Sequence, residues 1–224
     1  MMKLSESTMS VLKNFSQINH GMVFKKGNVI RTVSKEQNIL AQAKIEDSFD
    51  ETFVIYDLNR LLSVLSIMNS PDIKINIDNK SLEIDDERAR VLYRLSDEIM
   101  VVSPPEDELD IEDAEVKFTL TNDTLSQVMK LGGVLGLPNI VIRGDRNKIS
   151  IAAIDVKNED SDVFWIDVGE TTAEFQSIFR YDSLKIIPGT YDVSITTEGI
   201  SYFVNANETL QYWIATEAGS TYSE

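Results

Sequence analysis

The chain has 224 residues, no cysteine, one histidine and a formal net charge of −16. Its 42% hydrophobic content supports a buried core, and its length suits one large domain or two of ordinary size. The lack of cysteine excludes a disulfide framework and cysteine-based catalysis. No apolar run approaches the roughly 20 residues that span a bilayer, and the N-terminus lacks the apolar stretch of a signal peptide. We therefore predict a soluble, cytoplasmic protein with no membrane partner, whose acidity disfavours phosphate unless its charges are unevenly distributed.

Four segments carry apolar residues at helical spacing: 5–19, 56–69, 121–136 and 172–187. Each predicted helix directs one basic residue away from its apolar face, in chain order Lys13, Arg60, Lys130 and Arg180. Acidic and basic residues balance within these segments, with Glu6, Asp57, Asp123, Glu174 and Asp182 against Lys13, Arg60, Lys130, Arg180 and Lys185. The whole net charge therefore lies on strands, turns and connections.

Most of the remaining chain reads as short strands separated by turn signals. Alternation such as Ile73, Ile75 and Ile77 is typical of antiparallel strands with one buried face. Together, the helices and strands predict the α+β class.

The order of these elements repeats along the chain. Residues 4–15 align with 120–131, residues 72–82 with 190–200, and residues 91–95 with 210–214. This predicts two similar domains, residues 1–100 and 116–224, joined by an acidic linker at residues 101–115. Pro104 and Pro105 disfavour a helix in that linker.

The sequence offers little for catalysis or for a cofactor. His20, the one histidine, follows a predicted helix and has no partner for a metal pair or a Ser-His-Asp arrangement. The glycines at 25–28 and 132–136 form no phosphate-binding loop. The acidic cluster Glu106, Asp107, Glu108 and Asp110 lacks the glycine turn and terminal glutamate of an EF-hand loop, so we interpret it as linker. We predict a protein that is not an enzyme and that has no metal site.

The outward basic residues have two interpretations. Helices packed on a sheet have polar outer faces, and four basic residues could occur there by chance. Alternatively, the four helices share a weakly positive surface that faces nucleic-acid phosphates, with the acidic sheets turned to solvent. Such a surface would contact the backbone without reading bases.

Three segments carry a resemblance to a known family: MKLSESTMSVLKNFSQINHG at 2–21, VIYDLNRLLSVLSIMN at 54–69 and SLKIIPGTYDVSI at 183–195. In this order and at this length, the chain resembles the DNA sliding clamps of T-even-type tailed bacteriophages. The resemblance implies a DNA-clamp fold, with antiparallel sheets outside and two helices inside each domain, and assembly into a homotrimeric ring.

The resemblance also implies partners and a location. Duplex DNA would be encircled, a clamp loader would open the ring with ATP, and the DNA polymerase would be tethered as on a processivity factor. Late-transcription sigma-like factors would be further partners, and the protein would act in the cytoplasm of the infected bacterial host.

By resemblance, two sets of residues acquire roles. The DNA-facing set is Lys13, Arg60, Lys130 and Arg180, with Lys3 and Lys185. The set that would form a pocket for a partner peptide is Ile187, Pro188, Tyr212 and Trp213, whose other interpretation is ordinary core and turn.

Two other classes of protein remain open on the residues alone. One is an acidic β-rich interaction protein, such as a DNA-mimicking inhibitor, which would need carboxylates spread over one exposed face. The other is an enzyme with a carboxylate-bound metal, which the shortage of histidine disfavours.

Overall fold

The computed structural model describes residues 2–106, 111 and 114–223. The chain divides into two compact units, Met1–Asp107 and Glu108–Glu224. Residues 107–110, 112 and 113 of the predicted linker lie outside the described residues, and so do three of the four residues in the acidic cluster. The described part of the chain contains no helix long and apolar enough to cross a membrane.

Three of the four predicted helices are confirmed: α1 (Glu6–Ile18), α2 (Leu58–Ile67) and α3 (Asn122–Leu135). Each begins after a side chain that accepts a hydrogen bond from the backbone N–H three residues later, which satisfies one of the free donors at a helix start. These N-terminal caps are Ser5, Asp57 and Thr121.

The fourth predicted helix, residues 172–187, is wrong. Glu174–Arg180 forms a strand, Tyr181–Ser183 a single 3₁₀ turn, and residues 184–190 have no regular secondary structure. Phe175, Ile178 and Phe179 have helical spacing, but this strand is covered on both faces, so its apolar residues need not alternate. Among the described residues, unit 2 therefore has one α-helix and not the two expected for each domain.

Unit 1 contains three groups of antiparallel strands. The strands are β1 (Met22–Phe24), β2 (Gly27–Val33), β3 (Ile39–Phe49), β4 (Phe53–Ile55), β5 (Asp72–Asn76), β6 (Ser81–Asp85) and β7 (Arg90–Arg94). β1 pairs with β4, β2 with β3, and β6 lies between β5 and β7. Helix α1 packs on β3 and on α2. A cluster of Phe24, Phe49 and Phe53, with ring centroids 4.6 to 5.3 Å apart, lies in the core of this unit.

Unit 2 is built from two antiparallel sheets. Its strands are β8 (Val116–Leu120), β9 (Asn139–Asp145), β10 (Lys148–Ile154), β11 (Phe164–Glu170), β12 (Glu174–Arg180), β13 (Tyr191–Ile195), β14 (Ile200–Asn205), β15 (Leu210–Ala215) and β16 (Thr221–Ser223). One sheet has the order β11-β10-β9-β12-β16, and the strands β15-β14-β13-β8 are consecutive in the other. Helix α3 packs against β10 and β11.

The three repeated segments have the same secondary structure in both units. The first lies in helices α1 and α3, the second in the hairpins β5–β6 and β13–β14, and the third in strands β7 and β15.

Candidate nucleic-acid interface

The three helices contain no acidic residue beyond their first turns. Glu6 and Asp123 lie in first turns, where a carboxylate complements the helix dipole, and the helical residues of α2 include no acid. The remaining charged residues of the helices are Lys13, Arg60 and Lys130. In a chain of net charge −16, the three helices together hold three basic and two acidic residues, a net charge of +1.

Lys13 on α1 and Lys130 on α3 lie one residue out of register in the repeat, in which Leu12 aligns with Val128. Lys13 is exposed beside the buried Leu12, and Lys130 is exposed two residues after the buried Val128. Their exposed neighbours are neutral, with Gln17 on α1 and Gln127 on α3 among them. Between described residues, neither lysine forms an ion pair.

Arg60 is exposed near the start of α2, and an aromatic ring lies beneath it. Its guanidinium carbon is 5.9 Å from the ring centroid of Tyr93 on β7. The hydroxyl of Tyr93 donates to the carbonyl oxygen of Asp57 at 2.8 Å, and the Asp57 carboxylate accepts from the backbone N–H of Arg60 at 2.9 Å. Burial, with the nearby Asp57 charge, raises the pKa of Tyr93 although Arg60 opposes this.

The other three predicted DNA-facing residues do not lie on helices. Arg180 is exposed but ends strand β12, and Lys185 is half-buried beyond the 3₁₀ turn. Lys3 is exposed next to Met2, whose backbone exchanges two hydrogen bonds with Ile73 on β5. The structure therefore places three of the six residues on helices, two in unit 1 and one in unit 2.

Six ion pairs between described residues lie on strands, turns and loops. They are Lys25–Glu106, Lys74–Glu83, Lys80–Asp97, Arg90–Asp85, Arg146–Glu174 and Lys148–Asp167. None involves a residue of α1, α2 or α3. The helix cations are thus available to an external anion.

The four residues predicted to line a peptide pocket divide between core and surface. Tyr212 is fully buried, and its hydroxyl accepts from the backbone N–H of Ile187 at 3.1 Å. Trp213 is 7% exposed and packs on Tyr202, with ring centroids 5.1 Å apart. Ile187 is half-buried and Pro188 is exposed, so only these two present substantial surface.

Residues 98–106 of unit 1 run along that unit and border a cavity that the sequence did not predict. The Asn19 side-chain amide donates to the Val102 carbonyl oxygen at 3.1 Å, and Arg31 donates to the Pro105 carbonyl oxygen at 2.8 Å. The cavity, of about 350 Å³, is lined in part by Val23, Val29 and Pro104. No sequence signal indicated it, because its walls come from separate segments.

Within the described residues, no group of three or more His, Cys, Asp or Glu side chains could hold a metal ion.

Comparison with known proteins places the chain in a family. Residues 3–102 match the family described as DNA polymerase processivity factor, and residues 117–218 match that described as gp45 sliding clamp, C terminal. The sliding clamp of Vibrio phage KVP40 is 35% identical over 97% of this chain and 100% of its own length. The sliding clamp of Escherichia phage RB69 is 29% identical over 99% of both chains.

Solved structures share the fold at low sequence identity. The PCNA of A. fulgidus, solved with the C-terminal region of FEN-1, has a TM-score of 0.69 and 15% identity, covering 95% of this chain and 96% of its own. The beta clamp of H. pylori, solved with 5-chloroisatin, has a TM-score of 0.70 and 12% identity, covering 97% of this chain and 66% of its own. The predicted clamp fold is confirmed.

The chain belongs to the DNA polymerase processivity factors, the sliding clamps. Within that class, its relatives are the sliding clamps of T4-like bacteriophages. The family resemblance stated from the sequence is confirmed, and the alternative of a DNA-mimicking interaction protein is not favoured.

Proposed function

We propose that copies of this chain form a homotrimeric ring around duplex DNA, with the surfaces of α1, α2 and α3 toward the phosphates. The observation that carries this proposal is the absence of acidic residues from these helices beyond their first turns, in so acidic a protein. Lys13, Arg60 and Lys130 supply the positive charge, and Lys3, Arg180 and Lys185 are assigned to the same role outside the helices.

The physical requirement of such a surface is weak attraction. Each phosphate that a cation neutralises adds to salt-dependent affinity without regard to sequence. A few basic residues among small neutral side chains favour contact with the backbone while leaving the ring free to slide. Retention then comes from closure of the ring, and tethering raises the effective concentration of the polymerase at the primer end. The proposal assigns no chemical step to the chain.

Two strand edges suit ring closure. β7 pairs only with β6, and β11 only with β10, so within the described chain each presents an unpaired edge. Open edges are a liability that proteins cover. Leu92 on β7 and Trp165 on β11 are 51% and 55% exposed. We infer that β7 of one copy pairs with β11 of the next, which is a head-to-tail contact of the kind that closed rings require.

The exposed ends of two helices fit the same contact. Ile67 at the end of α2 is 85% exposed, and Val134 near the end of α3 is 82% exposed. Apolar side chains exposed to this extent are stabilised when a partner covers them.

The partners that we assign to the ring are the DNA polymerase, an ATP-dependent clamp loader and late-transcription sigma-like factors, in the cytoplasm of the infected host. The proposed peptide contact uses Ile187 and Pro188, with Tyr212 and Trp213 supporting them from the core.

The experiment compares two triple variants of equal charge change. K13A/R60A/K130A removes the helix cations, and K44A/K117A/K157A removes three exposed lysines from strands and a loop. With the cognate loader and polymerase, we expect the first variant to assemble but to lose clamp-dependent DNA synthesis and retention on circular DNA. The control should retain both. If the two variants retained synthesis and circular DNA equally well, the assignment of the helices to DNA contact would be wrong.

A further inference from the structure

Arg60 has an acidic residue within reach along the sequence and does not pair with it. Asp57 precedes Arg60 by three residues, a spacing at which opposite charges on a helix commonly attract. The Asp57 carboxylate instead accepts the backbone N–H of Arg60, at 2.9 Å, as the cap of α2. Within the described part of the chain, the guanidinium forms no ion pair.

The guanidinium of Arg60 lies against the ring of Tyr93 and not against the Asp57 carboxylate. The ring lies 5.9 Å from the guanidinium carbon, within the range of a cation–π contact. The same side chain is fixed at its other end, because its hydroxyl donates to the Asp57 carbonyl oxygen at 2.8 Å. One tyrosine therefore contacts both the cap residue and the arginine.

We propose that Tyr93 is a positioning residue for DNA contact, which holds Arg60 away from the Asp57 carboxylate and toward the phosphates. Without the ring, the flexible arginine turns back to Asp57, and its charge is neutralised within the chain. With the ring, the guanidinium keeps its planar donors available to phosphate. This inference rests on the proposed DNA role of Arg60.

The consequence is a defined pattern among variants. We expect Y93L to weaken binding of the assembled protein to linear duplex DNA by about two- to five-fold, the range of an exposed cation–π contact. The salt dependence of binding should also decrease, because fewer phosphates are neutralised. Y93F keeps the ring and should bind nearly as the wild type does. Tyr56, which is exposed one residue before the cap, supplies the control Y56L, which should change nothing.

Rescue and epistasis distinguish positioning from a general structural role. Asparagine still caps a helix but carries no charge, so D57N should restore duplex affinity in the Y93L protein and should leave the wild type unchanged. In an R60A background, Y93L should have no further effect. Loss of affinity in Y93L that D57N fails to rescue would overturn the proposal, as would an additive effect of Y93L on R60A.

A second measurement does not depend on assembly, which matters because Tyr93 lies on the open strand β7. In NMR spectra of the protein, the side-chain protons of Arg60 should show a ring-current shift that disappears in Y93L and persists in Y93F. No shift in the wild type would contradict the stacked position. If R60A itself leaves duplex binding unchanged, the DNA role of Arg60 fails, and that result is distinct from failure of Tyr93 to act through Arg60.

Discussion

The hydroxyl of Tyr181 donates a hydrogen bond to the carbonyl oxygen of Met129 at 2.7 Å, so the 3₁₀ turn of unit 2 holds helix α3 from its side. The tyrosine ring fills the space beside Gly132, where a Cβ atom would lie 3.0 Å from Tyr181 Cε2 and 3.2 Å from Ala153 Cβ. A glycine inside a helix normally costs about 1 kcal/mol relative to alanine. The close approach of the Tyr181 ring explains why a glycine occupies position 132.

Replacing Gly132 with alanine should therefore destabilise the protein in spite of the better helix propensity. Tyr181 cannot move aside easily, because it is held by two hydrogen bonds. Its hydroxyl donates to the Met129 carbonyl oxygen, and its backbone N–H donates to the Pro138 carbonyl oxygen. We expect G132A to lower the free energy of unfolding by about 1–2 kcal/mol in urea titrations. In a Y181A background the same change should cost less, because only the contact with Ala153 Cβ remains. Equal destabilisation in both backgrounds would show that the ring is not the obstacle.

Two buried tyrosines predict a limit to stability at alkaline pH. The Tyr191 hydroxyl donates to the Ile187 carbonyl oxygen at 2.5 Å, and burial raises the pKa of both Tyr191 and Tyr212. A raised folded-state pKa stabilises the native protein below the unfolded value of about 10, and this contribution is lost as pH rises above it. In an absorbance titration of tyrosinate, these two residues should ionise only as the protein unfolds. Ionisation of all seven tyrosines in the folded state would contradict this.

The hydrogen bonds of the Asp47 carboxylate lead us to expect that the stability of the fold also decreases at acid pH. Burial works to raise the pKa of the Asp47 carboxyl, but hydrogen bonds from Thr8 and Ser5 outweigh that effect and lower the pKa. Ser5, the cap of α1, donates to the carboxylate through its backbone N–H at 2.8 Å and through its hydroxyl at 2.9 Å. The stabilisation is thus fully present above the unfolded pKa of about 4 and is lost as pH falls through the lower, folded-state value.

The variant D47N should show this dependence directly. We expect it to be less stable at neutral pH by on the order of 1 kcal/mol, because a charge-assisted acceptor is lost. The difference from the wild type should shrink as pH is lowered through the carboxyl range in urea titrations. Asp50, exposed in a neighbouring turn, provides the control D50N. A gap that stays constant with pH would refute the role of the Asp47 charge.

The proposed subunit contact predicts different outcomes at two exposed apolar residues. A carboxylate in place of Leu92 on β7 would be buried by the neighbouring copy, which is costly without a partner. L92D should therefore reduce the mass in light scattering from three chains toward one chain of 25.3 kDa. Ile99 is 91% exposed but lies off the strand, so I99D should leave the assembly intact. Dissociation of both variants alike would argue against β7 as the contact.

The sequence predicted helices well where local signals agreed. Ser5, Asp57 and Thr121 cap segments whose apolar residues recur at helical spacing, and all three segments are helices. It failed at residues 172–187 because the spacing of Phe175 and Phe179 suits either a helix or a strand covered on both faces. Only the pairing of β12 with β9 and β16 decides between them.

The candidate site was predictable in its charges but not in its supporting contacts. Lys13, Arg60 and Lys130 follow from helical phase alone. The place of Tyr93 beneath Arg60 depends on how β7 packs near α2, which no local pattern encodes. Tyr212 and Trp213 were chosen as aromatic candidates for a pocket, but aromatic side chains are also the largest contributors to cores, and both are buried.

The single helix of unit 2 has a consequence for the symmetry that DNA would experience. Each chain has three α-helices in its described residues, two in unit 1 and one in unit 2. In a closed trimer, the pattern of helices would repeat after a third of a turn but not after a sixth. The electrostatic potential inside such a ring would therefore have a threefold and not a sixfold modulation.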